Sequence, residues 1–267
     1  MSAWSNKVVV VTGGSSGFGL DMAGAFARAG ARVAIVARNA ERLEAAAESL
    51  RKLGGDVIAI VADVTIDEDV TALVEKTIEE FGRLDALINN AGLSMRGRVT
   101  ETTPAQFQEL WEVNFLSAVR CTRAALPHLL ESEGHLVNIG SLASKVTAPF
   151  LGAYPASKFP LAAYSQQLRL ELHESKVHVL LVCPGPLQRD DANTRYADQS
   201  SNLPASARRP GGAKIKSIDR KWLAQRVVKA CDKRELELIV PGYVRWLLAI
   251  TSMWPSWGEW LIRRKTK

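Results

Sequence analysis

The chain has 267 residues, 47% of them hydrophobic and 23% charged, with a formal net charge of +6. This composition excludes a disordered chain and suits one large α/β domain spanning residues 1–267. Arg263, Arg264, Lys265 and Lys267 crowd four positive charges into the last five residues, so the body is nearly balanced, and the absence of an internal basic stripe argues against a nucleic-acid partner.

The first residues, MSAWSNKVVVVTGG, run into a strand with no apolar signal region, so a cytoplasmic protein is expected. Residues 7–12, KVVVVT, form a β-branched run that is followed by glycines and an Ala-rich helix from Leu20 to Ala29. The unit returns as ARVAIVA with a helix from about Ala40 to Leu53, and as DVIAIV with a helix from about Asp67 to Phe81. LDALIN then precedes a long helix from Pro104 towards Glu131, and GHLVNIGS a helix from about Tyr154 to Glu174. VHVLLVCPG, a helix over 219–232 and LELIVPG complete seven strands. Alternating β and α segments predict a doubly wound α/β fold with helices on both faces of a parallel sheet.

Thr65 and Glu68 have capping-box spacing, as do Thr103 and Gln106, the latter with Pro104 at the first helical position. Pro160 falls inside its helix, where it is expected to kink the axis. Cys121, Cys183 and Cys231 are odd in number and form no Cys-x-x-Cys pair, which predicts reduced thiols and no zinc site. His128, His135, His173 and His178 form no His-Glu-x-x-His, and no Gly-x-Ser-x-Gly elbow is present, so neither metal nor serine-hydrolase chemistry is indicated.

TGGSSGFG at 12–19 links the first strand to the first helix, where glycines let backbone N–H groups approach a pyrophosphate. The position after the second strand, where an acid takes the ribose 2'-hydroxyl of NAD, holds Arg38, whose guanidinium pairs instead with the 2'-phosphate of NADP(H). YPASK at 154–158 places Tyr154 and Lys158 on one helix face, so a lysine charge about 4 Å from the phenol should lower its pKa from about 10 towards 7.

The spacing of Gly13, Gly17 and Gly19, NNAG at 89–92, Asn114, Ser141, Tyr154 and Lys158 resembles the short-chain dehydrogenase/reductase family over residues 7–186. The resemblance implies a Rossmann-type sheet of order 3-2-1-4-5-6-7. It implies a dinucleotide held by Gly13, Ser15, Ser16, Gly17, Phe18, Gly19, Arg38, Asp63, Val64, Asn90, Ala91, Gly92, Tyr154, Lys158, Pro184, Gly185 and Leu187. It further implies that Tyr154 exchanges a proton with a small-molecule ketone or alcohol, that Ser141 orients the same oxygen, that Lys158 holds the nicotinamide ribose, and that Asn114 positions a water. A homodimer or homotetramer is implied as well. Arg189 stands where the family commonly has a threonine against the cofactor.

Residues 188–217 lack apolar periodicity and are read as a substrate loop; its Arg189, Arg195, Arg208, Arg209, Lys214 and Lys216 leave open an anionic group on the substrate. The tail at 243–267 holds Trp246, Trp254, Trp257 and Trp260 and is interrupted by Pro255, Gly258 and Glu259, so it is too broken to span a bilayer. Two readings stay open: the tail covers the pocket or a subunit interface, or it makes peripheral membrane contact. The function expected is NADP(H)-dependent interconversion of a ketone and a secondary alcohol on a hydrophobic substrate; the alternative is a dinucleotide-binding scaffold without turnover.

Overall fold

The computed structural model describes residues 2–189, 196, 199, 202–204, 207 and 215–266. The seven predicted strands form one parallel sheet: β1 Val8–Thr12, β2 Arg32–Ala37, β3 Val57–Val61, β4 Ala86–Asn89, β5 His135–Ile139, β6 His178–Pro184 and β7 Glu237–Val240, in the order β3-β2-β1-β4-β5-β6-β7. The helices are α1 Gly17–Arg28, α2 Ala40–Arg51, α3 Asp67–Phe81, α4 Pro104–Trp111, α5 Ser117–Glu131, α6 Tyr154–Glu171, α7 Arg220–Asp232, α8 Val244–Met253 and α9 Pro255–Thr266. Most of the loop at 188–217, with Arg195, Arg208, Arg209 and Lys214, lies outside the described residues.

Strand β1 explains the layering. All five of its residues are buried, and successive side chains point to opposite faces. Val9 and Val11 join Met22 and Phe26 of α1, whereas Val8 and Val10 join Val70 and Leu73 of α3 and Leu129 of α5. Each such side chain contributes about 1.5–3 kcal/mol when fully buried, so the run of valines is specified from both sides. Strand order reverses at β1, which pairs with β2 on one edge and β4 on the other. The carboxyl ends of β1 and β4 therefore open the crevice where this class of sheet receives ligands.

The Thr103 capping box forms as predicted, with Pro104 at the start of α4. The Thr65 box does not. Helix α3 begins at Asp67 after an extended Ile66, and Thr65 turns back to donate both its N–H and its hydroxyl to Asp63 Oδ1. Asp67, Glu68 and Asp69 supply the first turn with negative charge instead. The long helix from Pro104 is broken by a π turn at Glu112–Leu116, which carries Asn114. Helix α6 continues through Pro160; the carbonyl that would lose its partner belongs to Ala156, which is exposed and can bond to water.

At the amino edge of the sheet, His135 and His178 are register partners on β5 and β6, with their Nδ1 atoms 2.9 Å apart. His178 Nε2 donates to the carbonyl of Glu235 at 2.8 Å, so its Nδ1 accepts the proton carried by His135 Nδ1. Burial, then the neighbouring His178, pushes His135 down to about 3, and burial also lowers His178. Both rings are neutral in the fold, whereas the unfolded chain protonates them below about 6.5, so their contribution to stability is lost as pH falls from that value towards 3. Urea unfolding of His135→Gln between about pH 6 and 4 should show a pH slope shallower than wild type by roughly 1 kcal/mol per unit; an unchanged slope contradicts the neutral pair.

Candidate active site

The turn between β1 and α1 is built by glycine where nothing else fits. Gly13 and Gly17 have φ of 66° and 57°, and a Cβ on Gly19 would lie 2.1 Å from the carbonyl oxygen of Gly13. Thr12 ties the turn to β4: its hydroxyl donates to the Ile88 carbonyl and accepts from the N–H groups of Asn90 and Ala91, at 2.9 and 3.0 Å. Asn90 Nδ2 returns a bond to the Thr12 carbonyl at 2.9 Å. Ser16 precedes α1 in extended conformation without capping it, and the first turn has no acidic residue. The first N–H groups of α1 are thus left for an anion, which fits a pyrophosphate.

This turn forms one wall of a cavity of about 710 Å³. Gly13, Ser15, Ser16, Gly17, Phe18 and Gly19 line it, as do Asn90, Ala91 and Gly92 just after β4, Pro184 at the end of β6, and Gly185 and Leu187 beyond it. Ser141, Tyr154 and Lys158 line the same cavity. Ser141 follows β5 by two residues and caps a 3-10 turn at Leu142–Ser144, its hydroxyl accepting the N–H of Ala143 at 3.1 Å. Tyr154 opens α6 and Lys158 follows one turn later.

The expected lowering of the phenol by the lysine is not what the structure has. Burial raises the Tyr154 pKa above 10, outweighing a hydrogen bond from Ser141 and the charges of Arg96 and Arg189, which lower it. The ammonium of Lys158 is directed elsewhere, donating to the Ile139 carbonyl at 2.9 Å, and burial lowers it from 10.5 to about 8. Asn114 sits behind this pair and does not line the cavity. Its Oδ1 accepts from Leu93 N–H at 2.8 Å, and its Nδ2 donates to the Leu93 carbonyl and to Ser157 Oγ at 2.9 and 2.8 Å. A Cβ on Gly92 would stand 2.7 Å from Asn114 Oδ1 and 3.5 Å from Lys158 Nζ, so the glycine ending NNAG lets the three elements converge.

Arg38, Asp63 and Val64 do not line the cavity. The Arg38 side chain is 70% exposed and its Nη1 stands 3.5 Å from Asp63 Oδ2. An acid is therefore close to Arg38 after all, brought there from the end of β3. Burial alone would raise Asp63, but bonds from Thr65 and the charge of Arg38 hold it below the usual carboxylate value.

Residues 7–200 match the sequence family described as short chain dehydrogenase. The chain belongs to the short-chain dehydrogenase/reductase family. This dehydrogenase is 32% identical over 260 residues to 11-beta-hydroxysteroid dehydrogenase-like 2 of Arabidopsis thaliana, covering 97% of the chain and 81% of that protein. Among solved structures it resembles L-sorbose reductase from Gluconobacter frateurii complexed with NADPH and L-sorbose, with a TM-score of 0.79 and 29% identity over 90% of this chain and 96% of that one. It also resembles actinorhodin polyketide ketoreductase with NADPH, with a TM-score of 0.81 and 28% identity over 91% and 98% of the two chains. As a member of the family it is an oxidoreductase acting on CH–OH groups.

Several residues that shape the dehydrogenase's site escaped the sequence reading. Thr12 and Ser157 lie within the TGGSSGFG and YPASK stretches but were assigned no role; their hydroxyls face inward, a signal available from strand and helix periodicity. Arg96 also lines the cavity, brought there only by long-range packing, whereas Tyr196, Val244, Leu247, Ile262 and Thr266 line it from the loop at 188–217 and the tail at 243–267, the two segments read as pocket-building. The guanidinium of Arg96 lies over the Tyr196 ring, 4.2 Å from its centroid.

Proposed function

We propose that the protein is an NADP(H)-dependent enzyme that interconverts a ketone and a secondary alcohol on a hydrophobic small molecule. The observation carrying this reading is that Ser141, Tyr154 and Lys158 face one cavity that also receives the uncapped start of α1. When bound, the dinucleotide supplies or accepts the hydride. Tyr154 keeps its proton at neutral pH, since burial raises its pKa, and in reduction hands it to the carbonyl oxygen. Ser141, whose hydroxyl faces the same cavity as the phenol, orients the same oxygen. Lys158 is placed one helical turn from Tyr154 to hold ribose hydroxyls, and Asn114 holds Leu93 and Ser157 in place beside it.

Leu142, Val146, Leu151, Ile215, Leu247 and Ile262 give the cavity apolar walls, which supports a hydrophobic substrate. NADP(H) is supported by Arg38 and by the NADPH bound in the two solved relatives. Arg38 is exposed and its 3.5 Å contact with the half-buried Asp63 is long, so the pair contributes at most about 1 kcal/mol and leaves the guanidinium able to turn to a 2'-phosphate. A carbonyl-substrate screen with NADPH and NADH side by side should show NADPH preferred, and Arg38→Asp should reduce that preference at least tenfold through the KM for NADPH. A wild type that prefers NADH contradicts the assignment, and tight NADPH binding without turnover on any ketone would favour a scaffold.

The tail supports peripheral membrane contact by a cytoplasmic protein. Helices α8 and α9 cross closely, since a Cβ on Gly258 would meet Thr251 at 2.5 Å; Pro255 starts α9 rather than breaking it. One side of the pair, with Val244, Leu247, Ile262 and Thr266, covers the cavity. Tyr243, Trp246, Met253, Trp254, Trp257 and Trp260 are 54–78% exposed, beside exposed Arg245, Arg263 and Arg264. Tryptophan with a basic rim suits an anionic headgroup region. No helix among the described residues is long and apolar enough to cross a membrane. In flotation, the protein should rise with anionic vesicles and less with neutral ones. Recovery in the soluble fraction as a homodimer or homotetramer would assign the tail to a subunit contact instead.

A further inference from the structure

Distant parts of the sequence meet at the amino edge of the sheet, opposite the crevice. His135 starts β5, His178 starts β6, and Cys231 lies in the last turn of α7. Their donor atoms, one from each residue, all lie within 4.8 Å of one another. Donors on one tetrahedral ion, at about 2.0–2.1 Å for nitrogen and 2.3 Å for sulfur, are spaced about 3.3–3.6 Å apart, so small side-chain shifts would bring all three onto one ion. His178 is already oriented as a ligand: its Nε2 donates to the Glu235 carbonyl, which turns the lone pair of Nδ1 towards His135.

We propose that His135 Nδ1, His178 Nδ1 and Cys231 Sγ form a binding site for a zinc-class transition-metal ion. Two imidazoles and a thiolate select a borderline or soft ion and discriminate against magnesium and calcium, which need oxygen ligands. A separate cavity of about 170 Å³, lined by His135, Cys231, Trp4, Asp85, Asp232 and Arg234, gives an entry path and room for water as fourth ligand. Asp232 accepts Trp4 Nε1–H at 2.7 Å, which fixes the wall of that cavity beside Cys231. The step balances without redox change. The proton shared between the two rings moves from Nδ1 to Nε2 of His135, the Cys231 thiol releases one proton to solvent, and each donor atom contributes one lone pair. The ion would tie β5, β6 and α7 together at the edge remote from the crevice, so it stabilises the fold without entering the chemistry.

The test uses the full chain after chelator treatment and dialysis. Zinc titrated against a chromophoric competitor should bind at one equivalent and raise the melting temperature. Cobalt should give a thiolate-to-metal charge-transfer band together with tetrahedral ligand-field bands. Cys231→Ala should abolish the charge-transfer band, and both Cys231→Ala and His135→Gln should weaken zinc binding about a hundredfold or more. His173→Ala, on an exposed turn, should change neither, and carbonyl reduction should be the same with and without zinc. The absence of any one-to-one binding overturns the proposal. So does zinc affinity unchanged in both Cys231→Ala and His135→Gln, each shown to be folded by circular dichroism.

Discussion

The site is organised around one buried cation. The Lys158 side chain ends inside the protein, 5% exposed, with its ammonium held on the carbonyl of Ile139 where β5 stops. A fall from 10.5 to about 8 means that charging this group in the fold costs about 3 kcal/mol more than in water. The chain accepts that cost because several elements fix what surrounds it. Gly92 brings the end of β4 alongside, Asn114 and Ser157 lock the backbone next to it, and α6 places Tyr154 one turn earlier.

The sheet makes the convergence rigid. Asn89 on β4 donates to Asn138 on β5 at 2.9 Å, and Asn138 donates to Ser165 on α6 at the same distance, while Ser165 bonds back to the Leu161 carbonyl. Buried polar chains of this kind are costly when incomplete, so they fix the register between β4, β5 and α6. Thr12 does the same on the other side, joining the glycine turn to β4 with one donated and two accepted bonds. The tail then completes the cavity from the far end of the chain, and its outer face exposes Trp246, Trp254, Trp257 and Trp260.

Much of this was legible in the sequence because its causes are local. KVVVVT and VHVLLVCPG are buried on both faces and read as parallel strands, and glycine spacing with the YPASK pair located the cavity walls. The misreadings have a common origin. Thr65 looked like a helix cap because its competitor, Asp63, lies outside the helical window. Arg38 looked free of acids because Asp63 is brought to it only by the pairing of β2 with β3. The lysine was expected to face the phenol, yet Ile139, nineteen residues before it, takes its proton donor. His135, His178 and Cys231 carry no spacing signal at all; the register of β5 with β6 and the packing of α7 bring them together.

The most direct measurement of the central claim, that the Tyr154 phenol is the proton donor, is steady-state reduction of an accepted ketone by Tyr154→Phe, with NADPH affinity measured in parallel. The account predicts that kcat falls by about 10²–10⁴ while the Kd for NADPH stays within a few-fold of wild type. Turnover retained within tenfold of wild type, with the cofactor bound as tightly, would contradict it.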